Sequence, residues 1–185
     1  MTVAASQKLI FETSMAALLK VAEGNVSAAA EQQLNALGLH FGKKLEPAYP
    51  ADLWASAVKV VAKDLFPQAE AMESHRLLAL KTVDQFAETM VGKAIFAVAR
   101  VMGPDRSLAR MTHNFRTGAN FIETKLTVVE HGVHELWLND VSGVPGFYQG
   151  LIEGAALHTG RKPDTMSVKA SDGVQCTFLL VRAKA

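Results

Sequence analysis

The chain has 185 residues, 49% of them hydrophobic and 20% charged, a size and balance that fit one packed domain and exclude a disordered regulator. Nineteen basic against eighteen acidic residues leave a formal charge of +1, so no global field draws the protein to nucleic acid or anionic lipid. The single cysteine, Cys176, excludes an internal disulfide framework and a multi-thiolate metal site.

The N-terminal stretch is broken by Lys8, Glu12 and Lys20, so it predicts no transmembrane segment, and a cytoplasmic location is expected. Leu9, Met15, Ala16, Leu19 and Ala22 recur at helical spacing and predict a helix from about Ser6 to Glu23, closed by Gly24. Ser27 can cap a second helix that runs through the alanines at 28–30 and stops near Gly38 or Gly42. Pro47 and Pro50 mark a connector, and Pro50 is placed to open a helix that reaches Leu65 before Pro67. Gln68 to Met102 is helical in propensity almost throughout. At ~1.5 Å per residue such a rod is too long for a small domain, so a bend or break is expected near Ala79 to Thr82. Val83, Phe86, Met90, Ala94, Ala97 and Val101 form an inward stripe in its second half. After Gly103-Pro104 a shorter helix is expected, with Leu108, Met111 and Phe115 inward and Gly118 at its end.

The period then changes. Phe121 to Val129 and His134 to Leu138 flank His131-Gly132 and predict a hairpin. A helix over FYQGLIEGAALHTG follows, closed by Gly160. Thr165 to Lys169 and Val174 to Arg182 flank Ser171-Asp172-Gly173 and predict a second hairpin. The fold class expected is α+β over a single domain, 1–185: a helical bundle portion at about 6–118, then an antiparallel sheet of two hairpins linked by a crossover helix at about 120–183.

The segments AYPADLW, ETMVGKAI, MGPDRSLARMTHNFRTGANFIE and PGFYQGLIEGAALHTG, in this order between Leu39 and Val181, resemble a bacterial family of uncharacterised function first recognised in myxobacteria, the DUF2378 family. The last third, around Gly150, Gly154, Cys176 and Phe178, is similar to four-vinyl-reductase domains and more distantly to haem-nitric-oxide-binding and TRAPP vesicle-tethering domains. The resemblance implies a sensory or interaction fold. Its chemistry is not carried over, because the other cysteines of the four-vinyl-reductase pattern are missing. The Tyr-Ser-Arg set that holds haem propionates likewise has no match near Leu136, Leu138 and Asp140.

Two groups of residues are candidates for a site. Tyr49 and Trp54 flank the proline-opened helix, Phe147 and Tyr148 begin the crossover helix, and Gly150 and Gly154 follow on it. These six can line a groove for an apolar ligand or a protein partner; the competing reading is that the aromatics seal helix against sheet and the glycines form a packing seam. Arg106, Arg110, His113 and Thr117 recur four, three and four residues apart, so on one helix they share a face and can form a polar rim or hold an anion. The competing reading is a solvated face opposite Leu108, Met111 and Phe115. By position before the first strand, His113 also matches the proximal ligand of the haem domains that the last third resembles. His131 and His134 are short-spaced but lack a metal-site pattern, Cys176 reads as a small core residue, and HExxH, GxSxG, CxxC and nucleotide loops are all missing.

The function expected is a noncatalytic, cytoplasmic sensory or adaptor domain that binds a small apolar ligand or a protein partner. No catalytic residue, metal, cofactor or nucleic-acid partner is expected, and the apolar helices suit a homodimer, with a monomer as the alternative. The alternatives are a haem- or other cofactor-binding sensor and an uncharacterised enzyme.

Overall fold

The computed structural model describes residues 7–159 and 165–182. Ser6 and Gly160, proposed above as a helix start and a helix stop, lie outside these. The fold is α+β: helices fill the first two thirds, and an antiparallel sheet of two hairpins joined by a crossover helix makes the rest.

The first element of the described residues is a strand that sequence periodicity conceals. β1 (Leu9–Phe11) pairs antiparallel with β2 (Ala48–Pro50), Ile10 opposite Tyr49. The first helix, α1 (Glu12–Ala22), therefore starts later than its apolar spacing suggests, and the proline connector becomes an edge strand. Proline is tolerated there because an edge position needs no donor on its solvent side. α2 (Ala28–Ala36) is capped as expected, the Ser27 hydroxyl accepting from the Ala30 amide at 3.3 Å. α3 (Ala51–Leu65) follows Pro50 and buries Trp54, Val58 and Val61.

The long helical tract does break, but not at Ala79 to Thr82. α4 (Ala71–Glu88) runs straight through that region, with the Thr82 hydroxyl donating to the Leu78 carbonyl at 2.9 Å. The corner falls at Thr89, which leaves helical geometry (ψ 157°) and accepts from the Gly92 amide at 3.0 Å, capping α5 (Met90–Met102). Gly92 is required here: a Cβ would lie 2.0 Å from the Phe86 carbonyl oxygen. The expected helix after Gly103 is likewise two pieces, α6 (Pro104–Ala109) and α7 (Met111–Phe115), with Arg110 at the joint (φ −94°, ψ 8°).

β3 (Thr124–Glu130) and β4 (Val133–Leu138) form the first hairpin about Gly132, whose φ is +80°. α8 (Pro145–His158) crosses to the second hairpin, β5 (Thr165–Ser171) and β6 (Cys176–Val181), which turns at Gly173 (φ +86°). The strand order is β3-β4-β6-β5. Only the central strands alternate strictly: Leu136, Leu138, Cys176, Phe178 and Leu180 are buried on one face, while the outer strands are mostly exposed.

α4 and α8 make the closest helix pair. A Cβ on Gly150 would sit 2.3 Å from the Arg76 carbonyl oxygen and 2.7 Å from the Ala79 Cβ, and one on Gly154 would sit 2.9 Å from the Val83 Cβ. Arg76 locks the pair from the outside. It grips Glu73 with two bonds of 2.7 Å and Glu153 on α8 with one of 2.6 Å. Gln149 then donates to Glu153 and to the Met166 carbonyl of β5. No helix among the described residues is long and apolar enough to cross a membrane.

Candidate functional site

The hydrophobic interior is not continuous. A main core joins α1, α3, the first half of α4, α8 and the sheet; Val83, Ala87 and Phe96 form a separate cluster between α4, α5 and α8. Between the two lies a cavity of about 160 Å³. Trp54, Ile122, Phe147 and Tyr148 wall it from the main core, Val83, Phe86, Phe96 and Leu151 from the smaller cluster, and Ile10, Ala17 and Phe115 complete the apolar lining. A second void of about 60 Å³ adjoins it through Ile95, Phe96, Met111, Asn114 and Ala155.

The lining of the larger cavity contains no charged residue and no histidine. Its serine and threonine hydroxyls are turned to the backbone: Thr13 donates to the Thr117 carbonyl at 3.4 Å, Ser14 to the Gly118 carbonyl at 3.2 Å, Thr82 to Leu78, and Thr117 to Asn114 at 2.7 Å. Three polar side chains remain, Asn114, Trp54 and Tyr148. Asn114 is half-buried, and Trp54 is 3% exposed with a buried Nε1 that has no hydrogen-bond partner. The Trp54 ring meets Phe147 edge-on at 5.0 Å and Tyr148 at 6.2 Å, and Tyr148 in turn meets Phe115 at 5.7 Å. Burial pushes the Tyr148 hydroxyl well above the ordinary phenol range, while its bond to Ser142 pulls the other way and nearby Asp140 adds to the rise. The phenol stays neutral and is neither a base nor a nucleophile.

Of the six residues proposed as a groove, the structure brings three together: Trp54, Phe147 and Tyr148 share the cavity wall. Tyr49 lies apart in β2, where its hydroxyl accepts from the Glu46 amide at 2.8 Å. Gly150 and Gly154 face α4 and not the cavity, and the space beside them is filled. The four rim residues are not on one helix, because the chain breaks at Arg110. Arg106 is exposed, Arg110 reaches the Met102 sulfur at 3.6 Å, and His113 is exposed on α7. Only Thr117 touches the cavity.

The sequence reading missed the wall supplied by Ile10, Ser14 and Asn114. Ile10 lay hidden in a tract that looked helical, and Asn114 stands one place after the histidine that drew attention. Cys176 is buried on β6, and burial raises its thiol to about 11, with Asp172 adding to the rise and Ser171 opposing it, so it is an unreactive core residue. Among the described residues no group of three His, Cys, Asp or Glu is placed to hold a metal ion.

Comparison with known proteins adds family and fold. Residues 8–181 match the family model described as "Protein of unknown function (DUF2378)". No curated protein is significantly similar to the chain. The Fe(II) unliganded H-NOX protein from K. algicida superposes with a TM-score of 0.69 at 9% identity, covering 95% of this chain and 98% of that one. A mutant H-NOX of T. tengcongensis gives 0.61 at 17%, covering 91% and 93%. A structure probing haem distortion in the H-NOX family gives 0.67 at 16%, covering 93% and 94%. These matches support the haem-nitric-oxide-binding part of the resemblance and not four-vinyl-reductase or TRAPP domains specifically. The chain belongs to the DUF2378 family, and its fold is like that of H-NOX proteins.

Proposed function

We propose that this DUF2378 protein is a noncatalytic sensory domain that takes a small apolar ligand into the cavity between its two hydrophobic clusters. The observation that carries the reading is the uncharged, partly open cavity of about 160 Å³ between the two clusters. An engineered apolar cavity of ~150 Å³ holds benzene, so the volume suits a ring-sized molecule. The likeness to H-NOX structures supports a ligand- or cofactor-binding sensor over a protein adaptor.

Haem itself does not fit the residues present. The volume falls short of the ~300 Å³ at which pockets for larger ligands begin. An axial donor is wanting too, since His113 is exposed and its neighbour Asn114 lines the cavity. Where the resemblance places propionate partners, Leu136 and Leu138 are fully buried and Asp140 is an acid, paired with Lys8 at 2.5 Å.

Thermal unfolding in the presence of benzene tests the reading. Benzene is expected to raise the midpoint of the wild-type protein by mass action. In Ala155→Phe, which fills the cavity, the rise should vanish. Absence of any rise in the wild type would refute the cavity as a ligand site. Protein purified after haem supplementation is expected to show no Soret band; a band lost in His113→Ala would restore the haem reading.

A further inference from the structure

We infer that the two voids are one ligand site and that its ligand is a neutral apolar ring carrying a short alkyl tail, the ring in the larger void and the tail in the smaller. The inference rests on the ligand-cavity reading above and gives the occupant its shape.

The two voids follow one another along the groove between α5 and α8. On α8, Leu151 lines the larger void, Ala155 lines both, and Ala156 and Thr159 line the smaller; on α5, Ile95 and Phe96 line both, and Ala99 only the smaller. Leu151, Ala155 and Thr159 stand four residues apart and share a helix face, so the space they border spans roughly 12 Å of helix axis. Of the residues common to both voids, Ile95, Phe96, Met111, Asn114 and Ala155, Ala155 has the smallest side chain, and the neck between the voids runs over its methyl group. Phe96 is held in place beside that neck. Its ring stacks on His158 at 4.9 Å, His158 pairs with Asp84 at 2.9 Å, and Phe86 meets the ring edge-on at 6.3 Å.

The smaller void is too small for a ring. Its volume of about 60 Å³ gives room for roughly two or three water-sized groups such as methylenes, against the ~150 Å³ that receives benzene. Its hydroxyls are committed to the backbone, Ser107 donating to the Gly103 carbonyl and Thr159 to that of Ala156, each at 2.7 Å. Arg182, the one charged residue of its lining, is already engaged within the protein. A polar or charged tail would lose its hydration there, whereas an alkyl tail gains by leaving water.

Calorimetric titration with benzene, n-propylbenzene and n-hexylbenzene tests this. Each buried methylene is worth about fourfold in affinity, so propylbenzene should bind the wild-type protein ~50-fold more tightly than benzene. Hexylbenzene should gain nothing more, because its further carbons find no room. In Ala99→Leu, which fills only the smaller void, the ratio of propylbenzene to benzene affinity should fall below about fourfold. Methyl resonances of the wild-type protein decide the matter even where Ala99→Leu does not fold. Benzene should move those of Leu151, which lines only the larger void, and propylbenzene should also move those of Ala99 and Leu108, which line only the smaller. A wild-type ratio under about fourfold, a ratio unaltered in Ala99→Leu, a comparable further gain with hexylbenzene, or Ala99 and Leu108 methyls unmoved by propylbenzene would each overturn the inference and leave the cavity reading standing. Failure of all three probes to bind would overturn the two together.

Discussion

His75 is a buried imidazole on α4, and burial lowers its proton affinity, with the positive charge of Lys59 lowering it further. The fold therefore prefers the neutral ring. In the unfolded chain the ring regains its ordinary value of 6.5, so between that value and the lower folded one the unfolded state binds more protons. Stability contributed in this way is complete above pH 6.5 and declines as acid is added, at no more than about 1.4 kcal/mol per pH unit. The carboxyls titrate in a separate window. Glu73 is held below its ordinary 4.5 by its bond to Arg76, so what it contributes is present above 4.5 and is lost only as pH falls below that. Asp172 is held below 3.8 by the amides of Val174 and Gln175 and behaves alike. Urea midpoints measured on either side of pH 6.5 should thus fall with acid in the wild type, and the drop should shrink in His75→Leu. An unchanged slope in that variant would show that His75 is not the group responsible.

At the scale of elements, the α4–α8 seam makes a prediction opposite in sign to local propensity. Gly150 sits inside a helix, where alanine is ordinarily better by about 1 kcal/mol. A Cβ at this position meets the Arg76 carbonyl oxygen at 2.3 Å, an atom of another helix's backbone that cannot swing aside. Overpacking of this kind costs roughly 1–3 kcal/mol. Gly150→Ala should therefore lower the unfolding midpoint, and a rise would mean that the two helices separate freely. The same seam shows what the sequence made legible. Ser27 capping, Gly132 and Gly173 at their turns, and the two hairpins about a crossover helix were readable, because each depends on residues close in sequence. The corner at Thr89 is not legible in the sequence, because helix propensity runs unbroken across it and the contact of Gly92 with Phe86 decides the bend. β1 was concealed for a related reason: Leu9 continues the helical spacing of α1, but Ile10 pairs with Tyr49 across forty residues of chain. At the site, Trp54, Phe147 and Tyr148 were recognisable as bulky aromatics beside proline-opened helices. The basic row of Arg106, Arg110 and His113 misled because a periodicity argument presumes one helix, and the joint at Arg110 divides it.

For the molecule as a whole, α5 lines the cavity with one face and carries the most exposed large apolar side chains of the described residues on the other. Its inner face gives Ile95 and Phe96 to the cavity. Its outer face exposes Met90 (90%), Val101 (89%), Val98 (53%) and Val91 (49%), with Ala94 and Ala97 exposed between them. Exposed apolar side chains contiguous along a whole helix differ from the scattered ones every surface carries. The homodimer expected from the sequence is accordingly proposed to form on this face. A stripe of alanines and valines can approach its own copy closely about a two-fold axis, with the exposed Lys93 and Arg100 of α5 left at its solvated rim. Sedimentation velocity should show a dimer for the wild type and a monomer for the double variant Val98→Glu, Val101→Glu, whose helix keeps its inner face intact. A wild-type monomer at every concentration would exclude the dimer. If both the dimer and the cavity reading hold, one helix lies between ligand and partner, and linkage fixes their relation: whatever factor dimerisation applies to benzene affinity, benzene must apply to the dimer constant. Measuring the two factors independently then decides whether α5 transmits occupancy or merely separates the two surfaces, in which case both factors equal one.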